Sequence, residues 1–160
     1  MKQITIRLMA SLLVLMLVII GSSSCKKDNK TESQSPKITL NVNGEYFEPY
    51  LIQDADIGFG LFVVGSFSDG QHSLSLNFDS DITQGSHDMG DPNSAYGMFW
   101  DNVININAGN IERYTSKSGT LVVEEYNAET GRLKGTFNAT CATSDNKTVT
   151  VTNGTFLVFL

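Results

Sequence analysis

The sequence predicts an all-β protein, an antiparallel β-sandwich or lipocalin-like barrel of about eight to ten strands, preceded by a helical signal peptide. Three observations predict it. Apolar residues recur with a period of two along nearly all of the chain after residue 36. Turn-forming residues arrive about every ten residues. No window longer than ten residues carries helical spacing.

Residues 1–24 read as a lipoprotein signal peptide. Lys2 and Arg7 make a basic opening, and Leu8 to Ile20 is a nearly unbroken apolar run thirteen residues long. A membrane span needs about twenty apolar residues, so this run fits a secretory h-region. Gly21-Ser22-Ser23-Ser24 are small, and Cys25 follows at once. Small residues enter a peptidase in extended form, and the cysteine then offers a thiol for acylation. The pattern resembles the lipobox of bacterial lipoproteins, with Ser22 where leucine is usual. Each buried CH₂ contributes about 0.8 kcal/mol, so two or three acyl chains on Cys25 anchor a protein stably to a membrane.

Residues 25–36 read as the acylated cysteine and a flexible tether. Lys26 to Pro36 is KKDNKTESQSP, which has nothing to bury and is expected to stay disordered. As a coil its span is roughly 18 Å. The run Cys25-Lys26-Lys27-Asp28-Asn29 resembles the start of many small Bacteroidota lipoproteins, in which charges after the cysteine direct surface export. The expected address is the cell envelope at the outer membrane, on its periplasmic or surface side.

The remainder, 37–160, is expected to form one domain. Lys2 and Arg7 leave with the signal, so nine basic side chains face seventeen acidic ones, a formal charge of −8. That balance argues against nucleic acid and leaves lipid, not charge, to hold the membrane. Cys25 is taken by acylation and Cys141 stands alone, which leaves no intramolecular disulfide.

The C-terminal half has the clearest alternation. Thr120 to Tyr126 reads as a strand, Asn127 to Gly131 as a five-residue loop and Arg132 to Ala142 as the return strand. Leu133, Gly135, Phe137, Ala139 and Cys141 share one face. Pairing Tyr126 with Arg132 sets Leu121 opposite Phe137 and Glu124 opposite Lys134. Thr148 to Thr152 and Thr155 to Leu160 flank Asn153-Gly154, a strong hairpin signal that pairs Val151 with Phe156 and Val149 with Val158. The last strand is apolar on both faces, which places it centrally or leaves Leu157 and Phe159 lining a groove.

The N-terminal half is less regular. Ile38 to Asn43 alternates, and Tyr46 to Ile52 reads as a second strand with Pro49 marking an edge. Phe59 to Phe67, apolar on both faces, reads as central. His72 to Phe78 turns Leu74, Leu76 and Phe78 inward. Ser80 to Asn93 is the longest loop. Ala95 to Ala108 and Asn110 to Ser118 complete the set.

Ser118-Gly119-Thr120, Gly131 to Phe137 and Val149 to Phe156, with Ile38 to Gly44, resemble a family of small, uncharacterised Bacteroidota lipoproteins that end in a single β-domain. The resemblance covers about half of the mature chain. It implies fold and location, and no activity.

Several patterns touch on chemistry. Ser144-Asp145-Asn146-Lys147 has Ser-x-x-Lys spacing, and Lys117-Ser118-Gly119 resembles its companion motif, but that chemistry needs Ser and Lys one helical turn apart and these lie in turns in the wrong order. His72 and His87 are the two histidines, too few for a zinc set. Asp79, Asp81, Asp88 and Asp91 surround His87 in the long loop and form a weak Ca²⁺ candidate without EF-hand spacing. Tyr96, Phe99 and Trp100 follow that loop, where they either stack on a ligand with His87 or belong to the core. Cys141 on the apolar face reads as a small hydrophobe.

The expected function is therefore a non-catalytic ligand- or protein-binding module, with its site near Asp79 to Trp100 and no cofactor. The partner is expected to be a glycan, a small molecule or an envelope protein. A structural envelope protein acting through a strand edge or through Leu157 and Phe159 is the second expectation. A hydrolase using loop carboxylates is the third.

Overall fold

Alternation of buried and exposed residues dominates the computed structural model of the chain, which describes residues 35–56, 60–67, 69–91, 93–105 and 108–160. The signal peptide, Cys25 and most of the tether lie outside the described residues, as do Phe59, Pro92 and Ile106.

Among the described residues ten strands follow one another: β1 Lys37–Val42, β2 Glu45–Phe47, β3 Leu51–Asp56, β4 Leu61–Ser66, β5 His72–Phe78, β6 Gly85–Asp88, β7 Gly97–Asn105, β8 Asn110–Asn127, β9 Arg132–Ala142 and β10 Thr148–Phe159. They form one antiparallel sheet in the order β2-β1-β10-β9-β8-β7-β5-β4-β3, with β6 added beside β8. The fold is all-β, as the period of two predicts. It is one sheet curled into a half-barrel, not two sheets stacked.

The curl follows from the chain path. β2 and β3 stand at opposite ends of the strand order, yet only residues 48–50 join them. Each residue spans at most about 3.6 Å, so the two edges must approach each other. Phe47 of β2 accordingly meets Phe67, His72 and Trp100 from the other side of the sheet, at ring-centroid distances of 5.6, 5.3 and 5.1 Å. Pro49 packs on Gly65, where an added Cβ would stand 2.9 Å from the proline ring. The stretch expected as one strand, Tyr46 to Ile52, is thus two strands on opposite edges, because Pro49 interrupts the ladder.

Register in the C-terminal half is set by bulges. Leu121 pairs with Phe137, as the alternation requires. At the turn, however, Asn127 pairs with Arg132 and Tyr126 with Leu133, one residue away from the expected match. A shift between Val123 and Glu125 restores the core register. Glu124 still reaches Lys134, at 3.0 Å, and Glu125 takes Arg132 at 2.8 Å.

Asn153-Gly154 is not a hairpin. Thr148–Phe159 is a single strand lying between β1 and β9. Val149 and Val151 pair with Cys141 and Ala139, while Phe156 and Val158 pair with Gly135 and Leu133. Between them β10 holds one residue more than either neighbour. Asn153 takes that bulge with φ +52, a conformation asparagine tolerates better than most residues. The extra residue changes the parity, so Val149, Val151, Phe156 and Val158 all face the core. A turn and a bulge satisfy the same pattern of apolar residues. β10 is central in the strand order, yet its outer apolar residues are not fully covered: Leu157 is half-buried and Phe159 exposed.

The interior is filled by alternate residues of nearly every strand: Ile38 and Leu40, Val63, Leu74 and Leu76, Met98 and Trp100, Leu121 and Val123, Leu133 and Phe137, Phe156 and Val158. Burying one such side chain contributes about 1.5–3 kcal/mol. Cys141 is part of this core, and burial pushes its thiol pKa up to about 12.

Candidate functional site

The long loop is more ordered than its composition implies. β6 forms within it and pairs with the second half of β8, Gly85 with Val123 through Asp88 with Thr120. β8 is eighteen residues long, so its first half is left to pair with β7. Past β6, the Met89 N–H donates to the Gly119 carbonyl at 3.1 Å. The Ser116 hydroxyl donates to the Met89 carbonyl at 2.9 Å and accepts the Met98 N–H at 3.2 Å. Gly90 then lies so close to β8 that an added Cβ would stand 2.8 Å from the Ser118 Cα. The loop is therefore fastened to the sheet.

His87 and Tyr96 are brought together. Their rings stack 3.7 Å apart at 12°. His87 Nε2 donates to the Thr83 carbonyl at 2.9 Å, and the Tyr96 hydroxyl accepts the Thr83 N–H at 3.3 Å. Beside this stack lie two hollows that share Asp91, Ser94 and Tyr96. One, of about 350 Å³, runs along Asp79, Ser86, His87 and Asp88. The other, of about 320 Å³, lies on the outer face of β5, β7 and β8, over Asn77, Gly97, Phe99, Thr115 and Lys117. Gly97 has no side chain to fill it, and the nearest group to its missing Cβ is the Ser116 hydroxyl at 3.6 Å.

Asn77 marks this second hollow. Its Oδ1 is buried and has no hydrogen-bond partner, the one such side-chain atom among the described residues. An acceptor left in that state costs about 1–3 kcal/mol. Nothing in the alternation of His72 to Phe78 singles Asn77 out, because an outward polar residue is what the pattern expects there.

The other expected site residues go elsewhere. Trp100 is 1 % exposed and belongs to the core, with its Nε1–H donating to Asn102 at 2.9 Å. Phe99 is on the opposite face of β7, half-buried, with the Arg113 guanidinium 5.2 Å from its ring centroid. Consecutive strand residues point to opposite faces, so Phe99 and Trp100 form no shared stacking platform with Tyr96.

Asp79, Asp88 and Asp91 border one hollow, but each carboxylate is engaged locally. Asp79 accepts the Ser80 hydroxyl and the Asp81 N–H, each at 3.2 Å. Asp88 accepts the Gly90 N–H at 2.7 Å, and Asp91 the Asn93 N–H at 2.8 Å. Each closes a local turn. Among the described residues no group of three or more His, Cys, Asp or Glu side chains gathers to hold a metal ion.

Sequence reasoning missed a second group at the other end of the β5–β7 pair. Asp69 Oδ2 accepts His72 Nδ1–H at 2.5 Å, and Oδ1 accepts the N–H groups of Gln71 and His72 at 2.8 and 3.2 Å. Burial pushes the Asp69 carboxyl up, but these donors outweigh it and hold the pKa below the ordinary value. Asn102 joins Trp100 to Glu112, which also takes the Tyr114 hydroxyl at 2.7 Å and Lys147 at 2.5 Å. The hydrogen bonds from Lys147 and Tyr114 lower the Glu112 pKa against its desolvation. The signal available for Asp69 and His72 was their i, i+3 spacing across a Gly-containing turn.

The geometry defines the class as an antiparallel half-barrel with a loop-built polar hollow on its outer face. In comparisons with protein families, curated proteins and solved structures, the chain matches none.

Proposed function

We propose that the protein is an envelope lipoprotein, acylated on Cys25 and tethered at the outer membrane, whose β-domain is a non-catalytic binding module. The reading includes the resemblance to small Bacteroidota lipoproteins and takes the hollow over Asn77 and Gly97 as its site. The observation that carries it is the polar hollow over Asn77 and Gly97, fastened by the β6–β7 loop, with the buried and unpartnered Asn77 Oδ1 in its wall. A ligand that donates an O–H or N–H to the Asn77 amide, once that side chain turns its Oδ1 toward the hollow, removes a desolvation penalty the free protein bears. Ser94, Asp91 and Lys117 offer further polar contacts, which suits a glycan or a small polar molecule.

The test uses the full chain, purified in detergent. Intact mass before and after Cys25→Ser reports acylation, and an unmodified Cys25 sinks the tether. Calorimetric titration with a glycan panel reports binding. Asn77→Leu keeps the side chain's shape and removes the acceptor. It is expected to stabilise the free protein while weakening the ligand about tenfold. A panel without heat, or binding indifferent to Asn77→Leu, overturns the site.

A second reading, an interaction protein without a small ligand, draws on the exposed Tyr46, Tyr50 and Leu51, which are 59 %, 70 % and 41 % accessible at the two sheet edges. Loss of a co-purifying envelope protein on Tyr50→Ser, with no ligand found, favours it.

A further inference from the structure

The end of the sheet where His72 sits has a chemistry of its own. Asp69 holds Nδ1 as the donor, so a neutral His72 ring presents Nε2 as a lone-pair acceptor. Nε2 has no protein partner among the described residues. The ring is clamped in place, stacked on Trp100 at 5.2 Å and 27° and met edge-on by Phe47. Beside it is a hollow of about 180 Å³ lined by Val42, Asn43, Glu45, Phe47, Trp100 and Val149. It adjoins a wider one, about 500 Å³, with which it shares His72 and Asn102 and which has Val103 and Ile104 on its rim.

The charges at this end are unbalanced. Glu45, Asp69, Glu112 and Asp145 are acidic, and Lys147, the cation in this network, is already engaged by Glu112 and Asp145. Glu45 makes no ion pair among the described residues. The hollow thus combines a carboxylate, a fixed nitrogen acceptor and aromatic walls, and no Lys or Arg is among its described lining residues.

We propose that this hollow is a second ligand site, for a small organic ammonium ion. An ammonium N–H donates to His72 Nε2, its charge faces Glu45, and its carbon atoms lie against Phe47 and the two valines. A longer substituent extends over Val103 and Ile104. The site is separate from the Asn77 hollow and does not depend on it.

Trp100 is the chain's single tryptophan and lies in the floor of this hollow, so intrinsic fluorescence reports on it directly. The full chain in detergent is titrated with benzylamine and, separately, with benzyl alcohol, its uncharged counterpart. A saturable change is expected with the amine alone. Glu45→Gln, at an exposed position that leaves the core untouched, is expected to weaken it about three- to fivefold. His72→Phe, which keeps a ring against Trp100, is expected to weaken it further, with circular dichroism showing the sheet retained. No saturable response to benzylamine, an equal response to the alcohol, or an affinity unchanged by Glu45→Gln overturns the proposal.

Discussion

The ring of Phe137 occupies the space a side chain at Gly154 would need: an added Cβ there would stand 2.6 Å from two ring carbons and from the Phe137 carbonyl. The contact lies at the bulge that lets β10 face the core on both sides of Asn153. Gly154→Ala is expected to lower stability by about 1–3 kcal/mol through overpacking. Asn153→Ala, forced to keep φ +52, is expected to lose about 1 kcal/mol, and Asn153→Gly much less. Denaturant unfolding measures all three. A neutral Gly154→Ala would mean that β10 is not bulged there.

Trp100 packs among Phe47, Phe67 and His72. Its replacement by alanine is expected to cost about 3–5 kcal/mol. Its emission is expected at short wavelength, with a red shift on unfolding. Emission already at the water-exposed position in the native protein would contradict the burial.

Cys141 is 0 % exposed, and its thiol pKa is pushed to about 12 by burial. The thiolate is the reactive form, so a thiol reagent at neutral pH is expected to leave the folded protein unlabelled and to modify it in denaturant. Labelling of the native protein at the unfolded rate would show that the β9 core opens.

Glu112 is lowered in pKa by hydrogen bonds from Lys147 and Tyr114, and Asp145 chiefly by the Thr143 hydroxyl at 2.5 Å. A carboxyl whose folded pKa is depressed contributes stability above its unfolded pKa, about 4, and loses it as pH falls through the folded value. Stability is therefore expected to be level near neutrality and to decline below about pH 4. Glu112→Gln should flatten that decline. Melting temperature across an acid series checks the sign.

The sequence made the strands legible wherever one face is dry. Arg132 to Ala142 has the predicted ends and the predicted inner face. Where the expectation failed, local chemistry admitted two outcomes. Asn-Gly serves a hairpin and a bulge equally, and only the availability of β1 and β9 on either side of β10 decides between them. Pro49 signalled an edge, but not that the chain leaves one edge for the other. Of the expected site, His87 and Tyr96 do meet, because both lie close to Thr83 at the loop base. Trp100 was ambiguous because aromatics after a loop serve ligand and core alike. Asn77 was invisible, since an unpaired acceptor is a property of neighbours that alternation does not encode.

The hydroxyls of Thr39 and Thr155 meet at 2.8 Å although 116 residues separate them. Among the described residues β1 has β2 and β10 as its ladder partners. As the chain emerges in order, its first strand waits for its last, and until β10 arrives Ile38, Leu40 and Val42 have little to bury against. Such delayed pairing makes folding slow and leaves apolar surface open meanwhile. Completion of β10 is therefore the step that lets the apolar face of β1 be covered.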